Sequence, residues 1–106
     1  MELRRFNRAP FNRPALFVRA GDDVFIEGVA KDISLGGMFI DTEFPASFGD
    51  AISVSVSFED GAEDLVLPGK VRWTRADGMG IQFGLLGARE TFAITEIVRL
   101  HEDSRR

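Results

Sequence analysis

Two short stretches of this chain hold side chains whose types and spacing suit ligand chemistry. The first is Arg4-Arg5-Phe6-Asn7-Arg8 and the second is Asp32-Ile33-Ser34-Leu35-Gly36-Gly37. Arginine offers a permanent charge, a planar fork of donors and a flat face for stacking. Its fork matches guanine O6 and N7 and makes charge-assisted, bidentate bonds to phosphate. Asp32 supplies the complementary half, a carboxylate able to accept from the N–H groups on guanine's Watson–Crick edge. Ser34 adds an adaptable hydroxyl. Gly37 permits positive φ and leaves room for a base to approach the backbone. A ligand carrying guanine and several phosphate charges would use all of these at once. Each stretch also has a plainer reading. The arginines suit a solvated basic tail, or an arm that binds RNA or an acidic protein. DISLGG suits a tight turn, with Gly36 in the bend and with Asp and Ser bonding local N–H groups. The turn and the ligand role are compatible.

The charge distribution sets the first stretch apart. The chain has 106 residues, with 13 Lys+Arg against 17 Asp+Glu and a formal net charge of −4. Four of the basic residues, Arg4, Arg5, Arg8 and Arg13, fall in residues 1–13, where Glu2 is the only acid. That segment carries +3, so the remainder carries −7. An acidic body argues against general DNA binding, which needs a broad positive face. No later strand concentrates basic and aromatic side chains, which disfavours a barrel for RNA or single strands.

An enzyme is not expected. The chain has no Cys, and its one His, His101, sits near the charged C-terminus. Disulfides, thiolate chemistry, zinc–thiolate sites and histidine-based triads are therefore excluded. The acids Asp22, Asp23, Glu59, Asp60, Glu63, Asp64 and Asp77 are spread over turns, and nothing marks one pair for catalysis. No cofactor or metal is expected. No apolar run approaches the roughly 18 residues of a membrane span, and no signal-peptide segment follows the basic N-terminus. The expectation is a cytoplasmic protein with no membrane insertion.

The elements that must position these residues read as short strands. Residues 1–13 show no period of 2 or 3.6 and are expected to form a flexible basic arm. ALFVRA and VFIEGVAKDIS follow as strands around a turn at Gly21-Asp22-Asp23, with Gly28 as a bulge or bend. MFIDTE is the third strand. AISVSVSF gives the cleanest alternation, with Ile52, Val54, Val56 and Phe58 against Ser53, Ser55 and Ser57. LVLPGKVRWT places Leu65, Leu67, Val71 and Trp73 on one side, with Pro68-Gly69 as an interruption. GMGIQF is the sixth strand, after a turn at Asp77-Gly78. ARETFAITEIVRLHE carries Phe92, Ala93, Ile97 and Leu100 at helical spacing and predicts an amphipathic helix over 88–102. Six strands and one helix imply a mainly all-β chain: a single small antiparallel β-barrel domain over 14–106, with a C-terminal α-helix. Phe6 and Phe11 are read as packing the arm on the barrel, and Trp73 as core or barrel-edge packing.

Arg4 and Arg8 form an RxxxR pair, and Asp32, Ser34 and Gly37 form a DxSxxG set. Together with VAKDISLGGMFIDT, VRW and GMGIQF, these resemble the PilZ family of cyclic di-GMP receptors over nearly the whole chain. The resemblance implies a six-stranded antiparallel β-barrel of PilZ type that binds cyclic di-GMP on its outer surface. It implies that Arg4 and Arg8 clamp the ligand, helped by the adjacent Arg5. Asp32, Ser34 and Gly37 then surround a guanine. The arm is expected to close over the ligand, at about 1–2 kcal/mol of backbone entropy per residue ordered. Micromolar affinity is the corresponding expectation. The implied role is a non-enzymatic switch that relays a second-messenger signal to a downstream effector protein, in motility, pili, exopolysaccharide or biofilm control. The alternative is a PilZ-fold adaptor that works by protein–protein contact without nucleotide, against which the intact motif set argues. Neither ligand stoichiometry nor oligomeric state is read from the sequence.

Overall fold

Alternating apolar and polar side chains give each strand one buried face, and closing the sheet on itself removes its edges. The computed structural model describes residues 7–104 and has this architecture. Its elements are β1 (Ala9–Arg19), β2 (Ile26–Ile33), β3 (Gly37–Asp41), β4 (Ala51–Val56), β5 (Leu65–Arg75), β6 (Gly78–Phe83) and α1 (Ala88–Ser104). The strands form a closed barrel in the order β1-β2-β3-β6-β5-β4, every neighbouring pair antiparallel.

The inward positions are mostly aliphatic or aromatic. Phe17, Ile33, Ile40, Val54, Leu67 and Ile81 are fully buried, as are Met38 and Met79. Each such side chain contributes about 1.5–3 kcal/mol by leaving water. α1 closes one end of the barrel. Its Ile94 is fully buried, and Ile97 and Val98 pack against the same core. This i, i+3, i+4 stripe differs from the expected one, because Phe92 and Leu100 remain exposed. The helix crosses the barrel end and touches chiefly β1 and β5, so only a narrow line of it meets the core.

Three irregularities separate the observed strands from the expected ones. Residues 9–13, expected in the arm, form the first half of β1: Ala9 is buried opposite Ile33, and Phe11 packs on Phe58 with ring centroids 5.1 Å apart. Asn12 adopts a left-handed φ of 56°, within a register shift between Pro10 and Arg13. Arg13 then donates to Ser57 O at 2.8 Å, Ser57 Oγ at 2.9 Å and Asp60 Oδ1 at 3.0 Å. The inward positions here are Ala, Phe and Arg rather than aliphatics, which hides the strand from a hydrophobic pattern. In β2 the register shift falls between Ala30 and Asp32, not at Gly28. β5 runs unbroken through Pro68-Gly69 and shifts register between Val71 and Trp73 instead. Gly69 serves close approach, since a Cβ there would lie 2.5 Å from Ile81 Cγ2 and 2.9 Å from Gln82 O.

Candidate functional site

The β2–β3 connection is a tight turn organised by one hydroxyl. Ser34 N–H donates to Gly37 O at 2.8 Å, and Ser34 Oγ accepts from Gly36 N–H at 3.1 Å and Gly37 N–H at 3.2 Å. The same hydroxyl lies 3.3 Å from Gly37 O, to which it donates. Phe83 N–H donates to Gly36 O at 2.9 Å, fastening the turn to β6. Ser34 and Gly37 are both buried. Gly37 does not use a left-handed φ; the glycines that do are Gly21, Gly49 and Gly61. The positive φ that glycine permits is not used at Gly37, which sits in extended pairing opposite Gln82.

The register shift in β2 turns Lys31 and Asp32 both toward the outer wall, because one extra residue breaks the alternation. Asp32 is half-buried there. Its Oδ1 accepts from Phe39 N–H at 3.1 Å and from Arg8 Nη2 at 2.7 Å. Arg8 Nη1 lies 3.5 Å from Ser34 Oγ. Arg8 immediately precedes β1, so pairing of Ala9 with Ile33 brings the first stretch onto the second. Arg8 of the first motif thus meets Asp32 and Ser34 of the second at one corner of the outer wall. Arg4 and Arg5 lie outside the described residues, as does Phe6.

A row of cross-strand neighbours continues from Asp32 across the wall. Asp32 pairs with Phe39, Phe39 with Gly80, and Gly80 with Trp73. Gly80 leaves a gap that the Trp73 indole fills: a Cβ there would lie 2.1 Å from Trp73 Nε1. The indole thereby reaches Phe39, with centroids 5.2 Å apart and planes 17° from parallel. The Arg75 guanidinium sits 4.5 Å over the Phe39 ring and 6.0 Å from the Trp73 ring. Asp77 accepts from Arg75 Nε at 2.9 Å and holds it in place. This shelf of Phe39, Trp73 and Arg75 adjoins Asp32 and is absent from the sequence expectation. Alternation placed Trp73 inside with Val71, and the register shift between them moves it outside. The legible signal was on the partner strand, where Gly78 and Gly80 alternate with buried Met79 and Ile81. Outward glycines in a barrel strand mark a large side chain lying across it.

The assembled corner offers a guanidinium, a carboxylate, a flat aromatic surface and a second guanidinium on an open wall. A planar base stacks on an aromatic face for about 1–3 kcal/mol. A carboxylate takes base N–H groups, and guanidinium groups take phosphate. Among the described residues, no cluster of His, Cys, Asp or Glu has metal-holding geometry, and no helix is long and apolar enough to cross a membrane.

A family model for the PilZ domain matches residues 2–102. No curated protein matches the sequence. Among solved structures, the chain is similar to the PilZ domain of CeSA from a cellulose-synthesizing bacterium: 23% identity, TM-score 0.71, covering 90% of this chain and 97% of that one. It is similar to the PilZ domain with c-di-GMP of YcgR from Escherichia coli, at 13% identity and TM-score 0.75, covering 96% and 93% of the two chains. It is also similar to the Bacillus subtilis inhibitor of motility MotI/DgrA, at 16% identity and TM-score 0.74, covering 96% of this chain and 53% of that one. At these identities the likeness is one of fold.

Proposed function

The chain belongs to the PilZ domain family, and from that premise we propose that it is a receptor for cyclic di-GMP. The observation that carries the reading is the 2.7 Å bond between Arg8 and Asp32, residues 24 apart in sequence. It supports one site built from both motifs. In this reading Arg8, with Arg4 and Arg5 of the arm, neutralises the two phosphates. Asp32 Oδ1 takes Phe39 N–H and Arg8, and Oδ2 accepts from a guanine edge. Ser34 and Gly37 serve as the floor by holding the turn, since the Ser34 hydroxyl is committed to Gly36 and Gly37. The Phe39–Trp73 shelf receives the face of a base when Arg75, which covers Phe39 in the free protein, swings aside and then closes over the base.

Binding and relay are then one event. The ligand competes for the Arg8 guanidinium, and the arm reorders over two phosphates and a base. The new surface is read by a downstream effector protein, as a non-enzymatic switch in motility, pili, exopolysaccharide or biofilm control. The E. coli YcgR PilZ domain, solved with c-di-GMP, supports the ligand class. Calorimetry tests the reading: cyclic di-GMP should bind saturably in the micromolar range, with cyclic di-AMP and GTP competing poorly. Equal binding of all three nucleotides would overturn it.

A further inference from the structure

The barrel end opposite α1 presents aromatic side chains that the fold does not need. Phe25 is 58% exposed, Phe44 67% and Phe48 69%, with Val24 beside Phe25 in the chain at 65%. They sit on the β1–β2 and β3–β4 connections, residues 20–25 and 42–50. Apolar side chains this exposed, gathered on one surface, mark an interaction site more often than isolated ones do.

These connections are pinned, so the exposure is built in. Arg19 bridges them, donating to Asp22 Oδ2 at 3.0 Å while its Nη1 lies 3.7 Å from Asp50 Oδ2. Gly49 N–H donates to Val71 O at 2.8 Å, and Val71 N–H to Asp50 O at 3.0 Å. Thr42 Oγ1 donates to Glu27 O at 3.0 Å and accepts Phe44 N–H at 3.2 Å. Ala46 is buried and plugs the barrel, with its N–H 3.4 Å from Met79 Sδ. Phe44 and Phe48 flank it two residues away on either side, both facing water.

The charged side chains lining the depressions of this surface are all acidic, while Arg19 and Arg75 beside them are already paired with Asp22 and Asp77. A depression of about 390 Å³ is lined by Phe25, Ile26, Glu27, Glu43 and Phe44. A second, of about 470 Å³, shares Glu27 and Glu43 and adds Asp41 and Asp77. Among the described residues, no cation lies within ion-pair distance of Glu27, Glu43 or Asp41. Two aromatic faces beside two carboxylates suit a guanidinium or ammonium on an apolar stem. An anionic lipid surface or a nucleic acid would be repelled.

We infer that this end of the barrel docks a basic, amphipathic segment of a partner protein, with an arginine or lysine between Phe25 and Phe44 against Glu27 and Glu43. The surface does not include Arg8 or Asp32 and meets the aromatic shelf only at Asp77, which is bonded to Arg75, and the inference goes beyond the nucleotide reading. It gives the molecule two faces, one for the small ligand and one for a protein.

The test uses the full chain, labelled with nitrogen-15, and a short synthetic peptide rich in arginine and leucine. Saturable shifts should map to the amides of Phe25, Glu27, Glu43, Phe44 and Phe48, and the same peptide with glutamate for arginine should give none. The pair Phe25→Ser with Phe44→Ser should weaken the peptide at least about tenfold with an unchanged melting point, as should Glu27→Lys with Glu43→Lys. Asp32→Ala should leave peptide binding intact, so loss of the nucleotide reading and loss of this one are told apart. No saturable shift, equal response to the acidic peptide, or full affinity in the Phe25/Phe44 variant would each overturn the inference. So would a dimer in sedimentation that the Phe25/Phe44 variant abolishes, which assigns the surface to a second copy. Binding to phosphatidylcholine vesicles lost in that variant would overturn it in favour of lipid.

Discussion

Arg8→Ala separates ligand binding from fold. In the free protein, Arg8 holds Asp32 at 2.7 Å, with side chains 32% and 36% exposed. A pair so open to water is worth about 0–1 kcal/mol. The melting point should therefore fall by no more than about 4–8 °C, the shift that 1 kcal/mol gives a domain of this size. In the proposed complex, Arg8 would make two charge-assisted bonds, each worth about 1.5–3 kcal/mol. Their loss costs about 3 kcal/mol at the low end, of which up to about 1 kcal/mol is offset because the free state also loses its Asp32 bond. The net of about 2 kcal/mol is a thirtyfold rise in Kd. Titration calorimetry reads the affinity and differential scanning calorimetry the stability. Cyclic di-GMP affinity within threefold of wild type would refute the assignment of Arg8 as a clamp. A melting point that collapses in step with affinity would refute the separation of roles.

Other substitutions probe the supports of the site. Ser34→Ala removes a buried acceptor from Gly36 N–H and Gly37 N–H. It should cost about 1–3 kcal/mol in chemical denaturation and weaken cyclic di-GMP as the turn loosens. Gly80→Ala places a Cβ 2.1 Å from Trp73 Nε1 and must push the indole off Phe39. Trp73 is the single tryptophan of the chain, so its emission should shift to the red, with about 0.5–1.5 kcal/mol of stacking lost. Gly69→Ala meets Ile81 and the Gln82 carbonyl inside the barrel and should destabilise by about 1–3 kcal/mol, with the ligand affinity of the folded fraction unchanged.

The barrel was legible wherever burial follows strict alternation. Ile52, Val54 and Val56 face inward and Ser53 and Ser55 outward, as their spacing requires. Strand content was hidden where inward positions carry small or charged residues, as at Ala9 and Arg13. It was misassigned where one extra residue breaks the period, as at Asp32 and Trp73. Such shifts cost the pattern nothing locally and reverse the face of everything beyond them. The helix was read over 88–102 and runs to Ser104. Its buried stripe was displaced because Ile94 and Val98, not Phe92 and Leu100, meet the core; only the packing partner decides between two apolar lines on one helix. Asp32 and Arg8 were singled out by type and order along the chain, and the structure brings them to 2.7 Å. The Phe39–Trp73–Arg75 shelf required the register of three strands, which no single segment encodes.

Chemical-shift mapping with cyclic di-GMP bears most directly on the claim that the arginine stretch and the Asp32 turn form one site. On a nitrogen-15 labelled chain, saturable shifts should appear at Arg8, at Asp32 through Phe39, at Gly80 and at the Trp73 indole N–H. Silence at those signals, or shifts confined to α1 or to the Phe25–Phe44 end of the barrel, would contradict the account.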